Sequence, residues 1–122
     1  MIEGNIANNR PYIPLTIGWG SAVENIVALV DTGFSGGIKI PPRSVDDLGL
    51  SVSHTESVIL GDGQTVNMAA STVYVDMGGI VNIVNAVIAP GDIVIGVGLM
   101  KKFGCLLTAD FKHSRLRLKS QI

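Results

Sequence analysis

The sequence lacks several features that mark common classes of protein. Its 122 residues include one cysteine, Cys105, so no intrachain disulfide can form and the fold does not depend on an oxidising compartment. The apolar run around Cys105 favours a small buried hydrophobic residue over a nucleophile. Aromatic residues make up 5% and charged residues 16%, with a formal net charge of −1. This composition argues against nucleic-acid binding, which needs basic residues interleaved with aromatic rings.

Long apolar runs are also missing. The longest ones are interrupted by Asn82, Asn85 and Pro90, and none reaches the ~18 residues that a membrane-spanning helix needs. Residues 1–5 (Met-Ile-Glu-Gly-Asn) have neither the basic region nor the apolar core of a signal peptide. We therefore expect a cytoplasmic protein without a membrane partner.

Metal and nucleotide motifs are not evident. His54 and His113 lie far apart in the sequence and lack the spacing of metal ligands. The pairs Gly61-x-Gly63 and Gly96-x-Gly98 are too short for a nucleotide-binding fingerprint, and no long helix follows either of them. We expect no metal ion and no cofactor.

Aliphatic residues and glycine dominate what is present. Hydrophobic residues make up 47% of the chain, and the mean hydropathy of +0.44 is high for a small protein. This excess predicts either a large core or an apolar surface covered by a partner. The length fits a single domain spanning residues 1–122.

Short β-branched runs separated by glycine and proline predict strands through most of the chain. The predicted strands are 12–17, 23–30, 37–40, 52–60, 64–75, 80–89, 93–95, 105–110 and 115–119. One or two helical turns are predicted at 43–48, and a short helix at 99–103. The composition therefore indicates an all-β protein with little helix.

The tripeptide Asp31-Thr32-Gly33 directly follows the apolar run 26–30. A carboxylate at the end of a buried strand is costly unless its surroundings are built for it, which makes Asp31 a candidate catalytic group. The same three residues also fit an ordinary turn, because aspartate and glycine are both common in turns. A faint internal repeat accompanies the tripeptide, since 93–96 (Ile-Val-Ile-Gly) again runs an apolar strand into glycine.

Three segments in this order resemble the retropepsin-like aspartic proteases, in particular the small bacterial and archaeal members. Ala28–Gly33 resembles the catalytic strand and loop, and Ile93–Cys105 resembles the second apolar strand with its short helix. Val58–Val66 lies where that family has its flap hairpin, although Gly61-Asp62-Gly63 also fits a plain type I′ or II′ turn. The resemblance implies a closed, mainly antiparallel β-barrel with one short helix near the C-terminus.

The resemblance also implies a function. Two chains would form a homodimer in which each contributes Asp31, with Thr32 bracing the two loops and Gly33 near the substrate backbone. A water between the two carboxylates would then hydrolyse an extended peptide or protein substrate. Ser35 and Val97 depart from the retroviral pattern, which often has an acid and an arginine at these places. The predicted substrate-binding residues are Phe34, Ser35, Gly61, Asp62 and Gly63.

Two other functions remain open at this point. A catalytically inactive protein of the same fold could bind extended peptides or serve as a dimerisation module, because fold does not determine function. A small β-barrel that binds nucleic acid is the third reading, and the scarcity of aromatic residues counts against it.

Overall fold

The computed structural model describes residues 2–121, which form ten strands and two short helices. In chain order these are β1 (Ile2–Ala7), β2 (Arg10–Trp19), β3 (Ala22–Val30), β4 (Ile38–Ile40), α1 (Pro42–Leu48), β5 (His54–Ile59), β6 (Thr65–Met77), β7 (Ile80–Ile88), β8 (Val94–Ile95), α2 (Val97–Phe103), β9 (Cys105–Asp110) and β10 (Arg115–Ser120). The predicted mainly-β architecture is confirmed. Within residues 2–121, no helix is both long and apolar enough to cross a membrane.

All strands belong to one sheet, in the order β5-β6-β7-β4-β8-β3-β2-β1-β10-β9. An additional pairing of β6 with β2 folds this sheet back on itself. The pairings are antiparallel except β3 with β8 and β4 with β7. Strands β5 and β9 are the two ends of the order, so each has one edge without a neighbouring strand in the described chain.

Alternation of side chains explains why the strands bury one face. In β3, Ile26, Ala28 and Val30 are buried, whereas Val27 between them is exposed and Leu29 is half-buried. This is the period of two that a strand imposes when only one of its faces meets a core. The apolar faces of the strands meet in a large cluster, and Leu99 of α2 packs into it with 0% exposure.

A second, smaller cluster lies beside the large one. Its buried members are Phe34, Val58, Ala70, Val87 and Val94. Phe34 belongs to the loop after β3 and Val58 to β5, so this cluster joins that loop to the β5–β6 hairpin.

Strand β1 was not predicted from the sequence. It pairs with β2 on one side and with β10 on the other. Gly4 allows this close packing, because a Cβ at that position would overlap the Tyr12 carbonyl oxygen. The polar residues of β1 give no strand pattern in the sequence, and the strand is defined only by these two pairings.

The type I′ or II′ turn considered for the β5–β6 hairpin is wrong. Gly63 N–H donates to the Leu60 carbonyl oxygen at 2.9 Å, so Gly61 and Asp62 are the central residues of the turn. Neither central residue has a positive φ, whereas Gly63 has a φ of 85°. Both primed turns require a positive φ at the first central residue, which here is Gly61. The connection is therefore a longer loop whose last residue, Gly63, is left-handed.

Candidate active site

Asp31 follows the last residue of β3, at the centre of the sheet. Its backbone N–H donates to the Ile95 carbonyl oxygen at 3.0 Å, which extends the parallel pairing of β3 with β8 by one residue. The Asp31 carboxylate oxygen Oδ1 accepts a hydrogen bond from Gly33 N–H at 2.8 Å. The Asp31 side chain is thus oriented by its own loop and remains partly exposed.

The second apolar strand of the internal repeat supports this loop directly. Val97 N–H donates to the Phe34 carbonyl oxygen at 2.9 Å, and Gly98 N–H donates to the Gly36 carbonyl oxygen at 3.1 Å. A Cβ at Gly96 would overlap the Phe34 and Gly36 carbonyl oxygens. Gly96 and Gly98 therefore allow the two loops to pack backbone to backbone.

This supporting role of Gly96 and Gly98 was missed in the sequence. The signal was present in the repeat, because both apolar runs end in glycine-rich segments. Only the parallel pairing of β3 with β8 shows that the two segments are neighbours in space.

The β5–β6 hairpin covers Asp31. A Cβ at Gly33 would lie 3.1 Å from the Gly61 Cα, and a Cβ at Gly61 would lie 3.8 Å from Asp31 Oδ2. The structure therefore brings Asp31, Gly33 and Gly61 together, although 28 positions separate Gly33 from Gly61 in the printed sequence. The absence of side chains at both glycines permits this close approach.

Ser35 is bonded to the same hairpin through two hydrogen bonds. Ser35 N–H donates to the Ile59 carbonyl oxygen at 3.0 Å, and Ile59 N–H donates to Ser35 Oγ at 2.8 Å. Both residues are exposed. Ser35 was predicted to bind substrate, but its backbone N–H and its side-chain oxygen are both already hydrogen-bonded to Ile59 of the same chain.

The other predicted residues lie in different surroundings. Thr32 is exposed beside Asp31, whereas Phe34 is only 3% exposed and packs in the smaller cluster. Asp62 Oδ1 accepts a hydrogen bond from Gln64 N–H at 2.9 Å, which stabilises the hairpin turn. Gly63 supplies the left-handed residue of that turn.

A cavity of about 250 Å³ opens beside the Asp31 loop. It is lined by Ser35, Gly36, Gly37, Glu56, Ile83, Val84, Asn85, Gly98 and Lys102. Glu56 Oε2 is buried there without a hydrogen-bond partner among the described residues. The sequence analysis did not single out Glu56, because a lone glutamate in a predicted strand carries no motif.

The histidines and the cysteine lie outside this site. His54 Nδ1 lies 2.8 Å from Ser53 Oγ, and His113 Nδ1 lies 2.8 Å from Asp110 Oδ2. Burial raises the pKa of the Cys105 thiol, whose sulfur lies 3.4 Å from the Met100 carbonyl oxygen. Within residues 2–121, no three histidine, cysteine, aspartate or glutamate side chains are grouped as metal ligands would be.

The chemistry that this arrangement offers is centred on one carboxylate. Asp31 is partly exposed, and its carboxylate is held by the Gly33 N–H. It lies where the ends of β3 and β8 meet, and β8 is followed by glycine, not by a second acid. A single carboxylate can act as a base or, when protonated, as an acid. It cannot do both at once, so acid–base catalysis of hydrolysis needs a second group.

The fold is similar to that of a solved protease. The crystal structure of a retropepsin-like aspartic protease from Rickettsia conorii aligns with 97% of this chain and 87% of that chain, with a TM-score of 0.67 and 19% sequence identity. No protein-family model and no curated protein match the sequence. At 19% identity the likeness concerns the fold alone. The chain therefore has a retropepsin-like fold.

Proposed function

We propose that this chain is an aspartic endopeptidase that acts as a homodimer, with one Asp31 from each subunit. The observation that carries the proposal is the Asp31 carboxylate, which lies at a central strand end under a glycine-tipped hairpin in a retropepsin-like fold. The solved neighbour is described as an aspartic protease, which supports the same chemistry here.

The second carboxylate comes from the second chain in this proposal. Two carboxylates held close together cannot both ionise easily, so the pair shares one proton; aspartic proteases are the standard example of this effect. The ionised Asp31 takes a proton from a water that attacks the peptide carbonyl carbon. The protonated Asp31 donates to the carbonyl oxygen. The Asp31 that took the proton from water then passes it to the amide nitrogen as the C–N bond breaks, and the other Asp31 takes a proton back from the diol as the carbonyl forms again.

Exposed residues around Asp31 support a twofold contact. Thr32 is exposed directly beside Asp31, and Val97 at the start of α2 is 44% exposed although it is apolar. A second copy would cover such apolar surface, and twofold dimers are the commonest symmetric assembly.

The test is cleavage of an unfolded protein substrate between about pH 3.5 and 8. The unmodified chain is compared with Asp31→Asn and with the control Asp47→Asn, which makes the same change at an exposed position of α1. We expect Asp31→Asn to lower kcat/KM by at least about 100-fold, the usual contribution of an acid–base group. Asp47→Asn should cleave as the unmodified chain does.

Mixing the two proteins tests whether the site is shared. If each dimer needs two Asp31 carboxylates, a ninefold excess of Asp31→Asn lowers the activity per unmodified chain to about one-tenth after subunit exchange. Activity that does not fall on mixing would contradict a shared site. Equal inactivity of all variants would favour the peptide-binding or dimerisation module.

A further inference from the structure

The end of β5 pairs with the Asp31 loop as an added strand would. The N–H and the carbonyl of Ile59 point in the same direction, and both are bonded to Ser35. The partner on β6, Thr65, therefore forms a pair with Ile59 that lacks ladder hydrogen bonds, and Leu60 N–H instead donates to the Gln64 carbonyl oxygen at 2.9 Å. Ser35 thus occupies the outer edge of the hairpin.

This arrangement leaves no room for a peptide between the loop and the hairpin. Neighbouring strands lie about 4.8 Å apart, so a strand inserted between Ser35 and Ile59 requires roughly twice that separation. Here Ser35 N is 3.0 Å from the Ile59 oxygen, and the tip residue Gly61 contacts the Asp31 loop. The described conformation is closed against an extended ligand.

We propose that Ile59 is an internal substitute for the substrate backbone and that Ser35 is the positioning residue that holds it. A substrate reaches Asp31 only after it displaces Ile59 from Ser35 and takes over the Ser35 N–H. The proposal rests on the proposed peptidase function for its catalytic consequence. The closed contact itself is independent of catalysis.

The contacts are suited to reversible opening. Val58, next to Ile59, is 1% exposed and stays anchored in the smaller cluster with Phe34. Ile59 is 49% exposed, so water can replace its two hydrogen bonds when the tip lifts. The moving part is therefore the stretch 59–65, which includes the partly buried Leu60, and the rest of the hairpin remains in place.

Two single variants remove the same hydrogen bond from opposite sides. Ser35→Ala removes the Oγ acceptor, and Ile59→Pro removes the N–H donor at an edge position where proline breaks no ladder bond. The matched control is Ser57→Pro, two residues earlier on the same exposed side of β5. Each variant leaves the backbone N–H of residue 35 as a common reporter.

The first measurement is amide hydrogen exchange at residue 35 by NMR. We expect both single variants to lower its protection factor about 2- to 12-fold, the worth of one neutral hydrogen bond. The double variant should lower it no further, because both changes remove one bond. Unchanged protection in both single variants, or an equal loss in Ser57→Pro, would overturn the proposed contact.

The second measurement is binding, made in an Asp31→Asn background so that nothing is cleaved. The probe is fluorescein-labelled, reduced and carboxymethylated α-lactalbumin, followed by fluorescence polarisation. Because a closed fraction weakens apparent affinity, Ile59→Pro should lower Kd about 2- to 12-fold, and Ser57→Pro should not change it. An unchanged Kd in Ile59→Pro, or no binding by any variant, would overturn the proposal that Ile59 competes with the substrate for Ser35.

A kinetic readout separates this proposal from the proposed function. With an active enzyme, Ile59→Pro should lower KM by the same factor and leave kcat unchanged, whereas a merely structural defect lowers kcat. If the unmodified chain cleaves nothing but exchange and binding change as expected, the peptidase function fails and the internal substitute stands. If cleavage depends on Asp31 but Ile59→Pro leaves KM unchanged, the internal substitute fails alone.

Discussion

Two strand ends meet at the centre of this sheet, and they differ in one decisive residue. Asp31-Thr32-Gly33-Phe34 follows β3, and Gly96-Val97-Gly98-Leu99 follows β8. The second residue of each segment is exposed, the third is glycine, and the fourth is buried, with Phe34 at 3% and Leu99 at 0% exposure. The first residue carries the largest chemical difference, a carboxylate in one segment and glycine in the other.

The difference follows from how the two loops pack. A side chain at position 96 would overlap the Phe34 and Gly36 carbonyl oxygens, so no acid fits there while the loop after Asp31 keeps its conformation. The β8 segment supports the loop by donating backbone hydrogen bonds to it. One segment therefore carries the acid and the other holds it in place, and the proposed pair of carboxylates takes its second member from a second chain.

The largest expected effects are on the free energy of unfolding, and they concern the two buried residues of these segments, Phe34 and Leu99. Phe34→Ala and Leu99→Ala should lower the free energy of unfolding by about 3–5 and 2–5 kcal/mol, respectively, because each empties a closely packed site. Only Phe34 also packs against Val58 of the β5–β6 hairpin. We therefore expect only Phe34→Ala to expose residues 60–64 to limited proteolysis under native conditions.

Urea unfolding followed by circular dichroism gives the two free energies, and mass spectrometry locates the protease cuts. Leu99→Ala is the control for a general loss of stability, since Leu99 belongs to the large cluster. If the protease cut the β5–β6 hairpin of Leu99→Ala as fast as that of Phe34→Ala, Phe34 would have no specific role in holding the hairpin.

A smaller effect is expected at the exposed second positions. Thr32→Val replaces a hydroxyl by a methyl group, Val97→Thr makes the reverse change at the matched place, and both should change the unfolding free energy of the separate monomer by less than about 0.5 kcal/mol. If Thr32 braces two subunits, Thr32→Val removes one hydrogen bond from each. The dimer should then dissociate about 5- to 150-fold more readily, corresponding to about 1–3 kcal/mol.

Analytical ultracentrifugation over a dilution series measures this dissociation constant. Val97→Thr should also raise it, because a second copy would cover the exposed Val97 side chain and a hydroxyl there replaces part of the apolar contact. Equal dissociation constants for Thr32→Val and the unmodified chain would remove Thr32 from the interface.

The sequence predicted the parts of this comparison that depend on local pattern. The apolar run before Asp31 predicted β3, and the similar run before Gly96 predicted a second strand and turn. It could not predict the Ser35–Ile59 hydrogen bonds, because they join an ordinary loop serine to a strand end far along the chain. Strand β1 was missed for the same reason, since two distant strands define it.

The smallest expected effect concerns a carboxylate outside both segments. The side-chain hydrogen bond from His113 is the main cause that lowers the pKa of Asp110 below its ordinary value of 3.8, and the His113 backbone N–H adds to it. The unfolded chain therefore binds this proton more readily than the folded chain does. The stabilisation is complete well above pH 3.8 and is lost as the pH falls below that value.

Asp110 provides a reference for reading the acid side of any pH–activity profile of Asp31. The Asp110 side chain is 46% exposed, so its contribution to stability is small, and Asp110→Asn should only flatten the fall in melting temperature below about pH 4. The profile of peptide cleavage should keep its shape in this variant, because Asp110 lies in β9 and the acid–base work is assigned to Asp31. If the acid limb of the cleavage profile moved with Asp110→Asn, that limb would report unfolding, and the ionisation of the proposed pair of Asp31 carboxylates would have to be sought elsewhere in the profile.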